Sequence, residues 1–291
     1  MNIEIAISTL NSGIENIKLN SDFNYIIIHQ ISDNKDYSDT VNKLRSSKVK
    51  YICSKTIGLS KSRNIAIQSS NADFIWIMDD DVIIDDNAYK NLLSLIGSSI
   101  QFDMIILSHT TIENAESNSN SNSNSNSNSN SNSNSNSNSN SNSNSNSNSN
   151  SKYYNINKYT AMSVSSINML IRRNSIIDNK ILFNENFGLG TKYPSGEEYI
   201  FTIQCLKHNL KILKTNQIFS YHPPISSGHD FFSTQQKLQA KLFMFKICYG
   251  KTLGVLFYLM FILKKSRILI INKKLLSALR VLTLNNDYNH K

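Results

Sequence analysis

Cysteine is scarce. The three present in 291 residues, Cys53, Cys205 and Cys248, are odd in number and far apart, with no short paired spacing. That excludes a disulfide-stapled scaffold and offers no zinc or redox motif, so a reducing cytoplasm is the expected compartment. The opening MNIEIAIS lacks basic residues followed by a long apolar run, so no secretory signal is read and the chain is expected to begin directly in structure. The eleven-residue apolar run 253–263 falls short of the roughly 20 residues that span a bilayer. Acidic residues nearly vanish late in the chain. Residues 201–291 hold 14 Lys and Arg against 2 acids, Asp230 and Asp287, a balance of +12 that leaves −3 for the rest of a chain whose total is +9. A basic tail on a mildly acidic body suits a polyanionic partner surface, either nucleic acid or the headgroups of an anionic membrane. At 40% apolar content, the chain can bury one sizeable core, alone or with a small helical unit appended.

In the first hundred residues, short β-branched runs alternate with longer mixed segments, the rhythm of strand and helix units in a parallel sheet. The expected strands are 3–8, 25–28, 51–53, 74–78 and 104–107. Segments 39–46, 60–69 and 87–96 repeat their apolar residues at three and four and are expected to be helices. In open α/β sheets, ligands gather beyond the C-terminal ends of strands, which directs attention to the residues just after each one. Residues 117–151 are a Ser-Asn alternation without an apolar side chain, too polar to offset its ordering entropy and expected to be a long disordered loop inside one domain. Further on come a strand-like SINMLI (166–171), the loop FNENFGLGTKYPSGEE, a helix over about 197–208, and the β-like segment IFSYHPP. From 233 the chain reads as helical and basic.

The strongest chemical signal is FIWIMDDDV, where five apolar residues run into Asp79, Asp80 and Asp81. Clustered carboxylates at a buried strand end call for a cation, and oxygen ligands favour Mg²⁺ or Mn²⁺. In an extended chain Asp79 and Asp81 project to one side and Asp80 to the other. One carboxylate can then reach a metal while its neighbour reaches a sugar or ribose hydroxyl. The same acids also suit caps of the following helix, for which Asp85 and Asp86 are adequate. In GLSKSRNIAI (58–67), a glycine and a serine open a helix carrying Lys61, Arg63 and Asn64, favourable for an anion such as a diphosphate, or simply a solvated basic helix. SGEEYIF (195–201) sets Glu197 and Glu198 at a helix start beside a glycine-bearing loop, where a general base could meet an incoming hydroxyl or where an ordinary acidic helix start would stand. His222 in SYHPP could complete a metal's coordination, with His229 as the fallback, although a lone histidine is more often an ordinary surface or core residue.

The order of these elements over roughly 3–222 resembles the inverting, GT-A-fold glycosyltransferases of family two, best known from bacterial surface-polysaccharide synthesis. ISTLN (7–11) stands at the family's strand-end turn, GLSKSRNIAI at its glycine and arginine-asparagine helix, MDDDV at its aspartate signature and SGEE at its acidic pair. The resemblance implies a mixed α/β sheet flanked by helices and a nucleoside-diphosphate-sugar donor, most simply a UDP-sugar, with Thr9 near the nucleotide and Arg63 near the donor phosphates. It places Asp79 or Asp80 at the ribose or donor sugar, Asp81 and His222 on the metal, and Glu198, with Glu197 as the alternative, as catalytic base. Two departures stand out: glutamate replaces aspartate at Glu198, and IIIHQISDNKD lacks the aspartate pair often found after the second strand, so that Gln30 or Asp33 fills that place only weakly.

The expected organisation is thus a GT-A domain over 1–232, interrupted by the insert 117–151, and a C-terminal amphipathic helical extension over 233–291. The acceptor is expected to be a glycan or a lipid-linked hydroxyl. In the extension, the apolar run 253–263 and the stretch SRILIINKKLLSALRVL read better as helices lying on a membrane surface, at the inner face of the cell membrane, than as a nucleic-acid arm, because their cations flank broad apolar faces. Packing of these helices against the sheet is the alternative. Two rival functions remain: a metal-dependent phosphoryl-transfer enzyme or nuclease built on the aspartates, which leaves 58–67 and SGEE without roles, and a non-catalytic nucleotide-sugar binder.

Overall fold

The computed structural model of the chain describes residues 1–111, 153–223 and 230–283. The Ser-Asn tract at 117–151 and His229 lie outside the described residues. Among the described residues, nine strands form one sheet: β1 (Ile3–Leu10), β2 (Asn24–Gln30), β3 (Val49–Ser54), β4 (Phe74–Asp79), β5 (Ile83–Ile84), β6 (Met104–Thr111), β7 (Tyr153–Asn155), β8 (Met169–Arg172) and β9 (Ile212–His222). Their order is β3-β2-β1-β4-β8-β6-β9-β5, with β7 paired to β9.

The parallel arrangement expected from the early rhythm holds for β3-β2-β1-β4, while β8 inserts antiparallel between β4 and β6 and makes the sheet mixed. SINMLI is only partly a strand. Its first half, Ser166–Asn168, is a 3-10 turn, held because the Trp76 indole N–H donates to the Ile167 carbonyl at 2.7 Å. The segment IFSYH closes an eleven-residue strand, β9, whose first half pairs with β7 and β6.

Both faces of the sheet are covered, which explains the near-continuous apolar runs of β1 and β4. In β4, Phe74, Trp76 and Met78 enter one core with the helices α1 (Ser38–Leu44) and α3 (Ala88–Ile96), while Ile75 and Ile77 enter the other. That second core is shared with α2 (Leu59–Ser69), α4 (Arg173–Asp178), α5 (Glu197–Lys207) and α6 (Gln235–Tyr249). Three further helices follow: α7 (Lys251–Lys264), α8 (Ser266–Ile271) and α9 (Leu275–Arg280). α6 and α7 fold back on each other, and a Cβ on Gly254 would lie 2.5 Å from the Lys246 Cα, so glycine is required for that approach. Among the described residues, no helix is long and apolar enough to cross a membrane.

The chain runs from β1 through β2 to β3 on one side and then returns to place β4 on the other side of β1. The strand order therefore reverses between β1 and β4, the position at which open α/β sheets leave a crevice at their C-terminal edge. Ser8 and Asp79 are register partners there, at the lip of the crevice.

Candidate active site

A cavity of about 750 Å³ opens at this edge. Thr9, Arg63, Asp79, Asp80, Asp81, Glu197, Glu198 and His222 all line it, although they come from five separate parts of the chain. Gln30 also lines it, but its amide is engaged as a latch, donating to the carbonyls of Thr56 and Gly58 and accepting from the Gly58 N–H. Asp33 is bonded to the Tyr37 hydroxyl at 2.7 Å and is not among the lining residues.

Arg63 lies at the centre, 1% exposed. Its Nη2 donates to Asp79 Oδ1 at 3.2 Å and Ser166 Oγ at 2.7 Å, and its Nη1 to Glu197 Oε1 at 3.3 Å, with Glu198 Oε1 at 3.9 Å. Burial opposes the guanidinium charge, but Asp79, Glu198 and Glu197 outweigh it and hold the group charged. Arg63 therefore ties the aspartate end of β4 to the start of α5, and its named partners are protein groups rather than open space. The start of α2 is likewise engaged. The Leu59 N–H bonds to the Leu189 carbonyl, Ser60 donates to the Phe187 carbonyl, and the Asn64 amide is bonded to both backbone groups of Phe183. This helix start anchors the loop that leads to Glu197, a different engagement from the diphosphate contact read from its sequence.

The two glutamates are unlike. Glu197 is 5% exposed in its side chain, and burial, reinforced by the Glu198 charge, pushes its carboxyl up to about 8 against the pull of Arg63. Glu198 is 24% exposed and reaches the cavity. Gly196 precedes both with φ +106°, a left-handed conformation that lets the chain enter α5 while passing close to Met244.

Asp80 accepts a hydrogen bond from the Thr9 hydroxyl. Burial raises its pKa, and the Thr9 bond partly offsets this. A Cβ on Gly13 would lie 2.1 Å from Asp80 Oδ2, so only glycine leaves room for this carboxylate. Asp81 is 42% exposed in its side chain, with Oδ1 3.5 Å from His222 Nε2. The His222 Nδ1 donates to the Pro223 carbonyl at 2.7 Å, so that a neutral imidazole would turn the lone pair of Nε2 to the carboxylate. Two acceptors facing each other are stable with a cation or proton between them, and an N/O pair suits a hard or borderline divalent ion. Among the described residues no group of three or more His, Cys, Asp or Glu could hold a metal. These two donors thus fit an ion completed by ligand oxygens and water, rather than an all-protein cage.

Several lining residues carry no recognisable sequence signal. Ser166 and His109 reach the cavity from the turn before β8 and from β6, and His109 is bonded to Asn168 at 2.8 Å. Lys237, Lys241 and Met244 come from α6 and form one wall. Burial lowers the pKa of Lys241 while the charges of Glu198 and Glu197 hold it up. Only the register of a helix packed across the cleft brings these residues in.

The site thus combines a mixed α/β sheet, acids at the β1/β4 reversal and a carboxylate pair at the start of α5. Residues 6–178 match the family model described as Glycosyl transferase family 2, and the chain belongs to that family. No curated protein matches it in sequence. Among solved structures, residues 1–349 of S. aureus TarS share 15% identity at a TM-score of 0.53, covering 86% of this chain and 70% of that one. The same protein in complex with UDP-GlcNAc gives 15% identity and a TM-score of 0.54 over 84% of this chain and 67% of that one. Its complex with UDP gives 15% and 0.52 over 86% and 70%. Membership of the family supports a nucleotide-sugar glycosyltransferase over the phosphoryl-transfer and nuclease readings.

Proposed function

We propose that this glycosyltransferase moves a sugar from a UDP-sugar to a hydroxyl of a glycan or lipid-linked acceptor, with inversion, in the assembly of a surface polysaccharide. The observation that carries this reading is the Arg63 bridge, which ties Asp79 at the end of β4 to Glu197 and Glu198 at the start of α5, all of them lining one cavity. The TarS structure bound to UDP-GlcNAc supports a uridine donor.

In this reading, Thr9 and Asp80 form the nucleotide and ribose side, and Asp79 faces the donor sugar. Asp81 and His222 would hold Mn²⁺ or Mg²⁺, which when bound supplies positive charge for the departing diphosphate. Glu198, the more exposed of the two glutamates, takes the acceptor proton as the hydroxyl attacks the anomeric carbon from the face opposite the diphosphate. Glu197 and Arg63 position it from below. Arg63 thereby acts on the carboxylates, since both of its terminal nitrogens are bonded to protein acceptors.

The test is incubation of the purified chain with a panel of UDP-sugars and Mn²⁺ or Mg²⁺. Slow UDP release is expected for one donor, faster when an acceptor is added, with opposite anomeric configurations in donor and product by NMR. Chelation or Asp81→Asn should stop both reactions. Release that persists undiminished in chelator counts against the Asp81 and His222 pair, and a folded protein that turns over no nucleoside-diphosphate sugar overturns the proposal.

A further inference from the structure

The three C-terminal helices leave their apolar residues uncovered. Of 16 exposed large apolar side chains among the described residues, nine lie on α7, α8 and α9, at 39% to 73% exposure. On α7, Gly254, Tyr258 and Ile262 recur every fourth residue and are buried, whereas Leu253, Leu256, Met260 and Leu263 follow a 3-4-3 spacing and form an outward stripe. Exposure continues at Ile270 and Ile271 on α8 and Leu276 on α9. The helices are nonetheless fixed to the body, since the Tyr258 hydroxyl donates to the Ala278 carbonyl at 3.0 Å and Leu269, Ala278 and Val281 join the main core. One face of these helices is packed and the other is bare.

Between positions 251 and 283 there are seven Lys and Arg and no Asp or Glu. A second copy of the chain docking through this face about a two-fold axis would set like charges against like. Nucleic acid would take the cations but leave the apolar stripe in water. A bilayer surface with anionic headgroups satisfies both, taking Leu and Ile side chains to the acyl boundary while Lys and Arg reach the phosphates. At 14 residues α7 is about 21 Å long, too short to span but able to lie in the interface plane.

We infer that α7, α8 and α9 form a membrane-docking face for anionic lipid, held on the opposite side of α7 from its packing against α6. This inference is independent of the reaction at the cleft.

The test is flotation of the full chain with phosphatidylcholine vesicles, with and without phosphatidylglycerol. One variant combines Leu256→Gln, Met260→Gln and Leu263→Gln. A second combines Lys264→Gln, Arg267→Gln, Lys273→Gln and Arg280→Gln. All these positions are exposed, and circular dichroism with thermal melting checks that each variant stays folded. The wild type should float only with phosphatidylglycerol and be released by salt, and each variant should lower partitioning at least about tenfold. Absence of flotation by the folded wild type, or flotation unchanged in both variants, overturns the inference. So does a concentration-dependent dimer in light scattering that the apolar variant abolishes while vesicle binding is absent, which would assign the face to a second copy.

Discussion

At the cleft, three carboxylates, Asp79, Glu197 and Glu198, converge on a buried arginine; between positions 251 and 283, seven cations stand with no acid among them and beside bare leucines and isoleucines. The first region fixes its charges because burial makes an unpaired one costly, by several kcal/mol. The second leaves Lys251, Lys264, Arg267, Lys273 and Arg280 exposed to solvent, where each contributes little to folding. Charge serves position in one place and attraction in the other, and the two regions should respond differently to substitution.

The largest effect is expected at the cleft. Glu198→Gln should lower kcat by roughly a thousandfold while leaving UDP-sugar binding by calorimetry unchanged; near-normal turnover would sink the assignment of the base. Arg63→Met should lower stability by about 3–5 kcal/mol in urea unfolding, since it strands Asp79 and Glu197 together. A loss of under about 1 kcal/mol would mean that those carboxylates do not depend on it.

Gly13→Ala tests the close approach to Asp80 more gently. Displacing that carboxylate should raise the donor KM by about tenfold or more, with little change in Tm. An unchanged KM would separate Asp80 from donor binding.

Glu197 gives a pH signature. Its folded pKa is raised, so its contribution to stability is full below about 4.5 and is lost as pH rises through about 8. Glu197→Gln should remove that slope, so that the melting temperature of the wild type falls relative to the variant across this window, by roughly 2–4 °C per kcal/mol lost. Parallel profiles would show that Arg63 keeps Glu197 ionised throughout.

The smallest effect on folding is expected on the docking face. The apolar triple variant Leu256→Gln, Met260→Gln and Leu263→Gln should leave stability within about 0.5 kcal/mol per site, the usual range for exposed substitutions. A larger loss would show that the stripe is covered in solution and would blur the contrast between the two regions.

Much of the scaffold was legible along the chain. The run FIWIM is apolar without alternation because both faces of β4 are buried, and a run of that kind ending in acids identifies a strand end with chemistry on it. Helix α2 was readable within one residue of its start, and so was the carboxylate pair at the start of α5. The task of Arg63 was not legible. A basic residue near a glycine-led helix start looks like an anion site, and only the fold shows Asp79, Ser166 and Glu197 converging on it across up to 134 positions of sequence. The α6 wall was hidden for the same reason, since Lys241 and Met244 lie on a helix whose sequence gives no hint of which element it covers.

The sequence by itself determined the residue types, their order, and the local periodicities that make strands and helices, because those depend on neighbours a few positions apart. It also determined the charge asymmetry of the C-terminal helices. Only the tertiary structure decided that β8 runs antiparallel between β4 and β6, that Glu197 is buried while Glu198 is partly exposed, and which stripe of α7 stays bare. Those outcomes follow from how whole elements pack, and a side chain's burial, pKa and partners are set by whatever the fold brings against it, however distant in sequence.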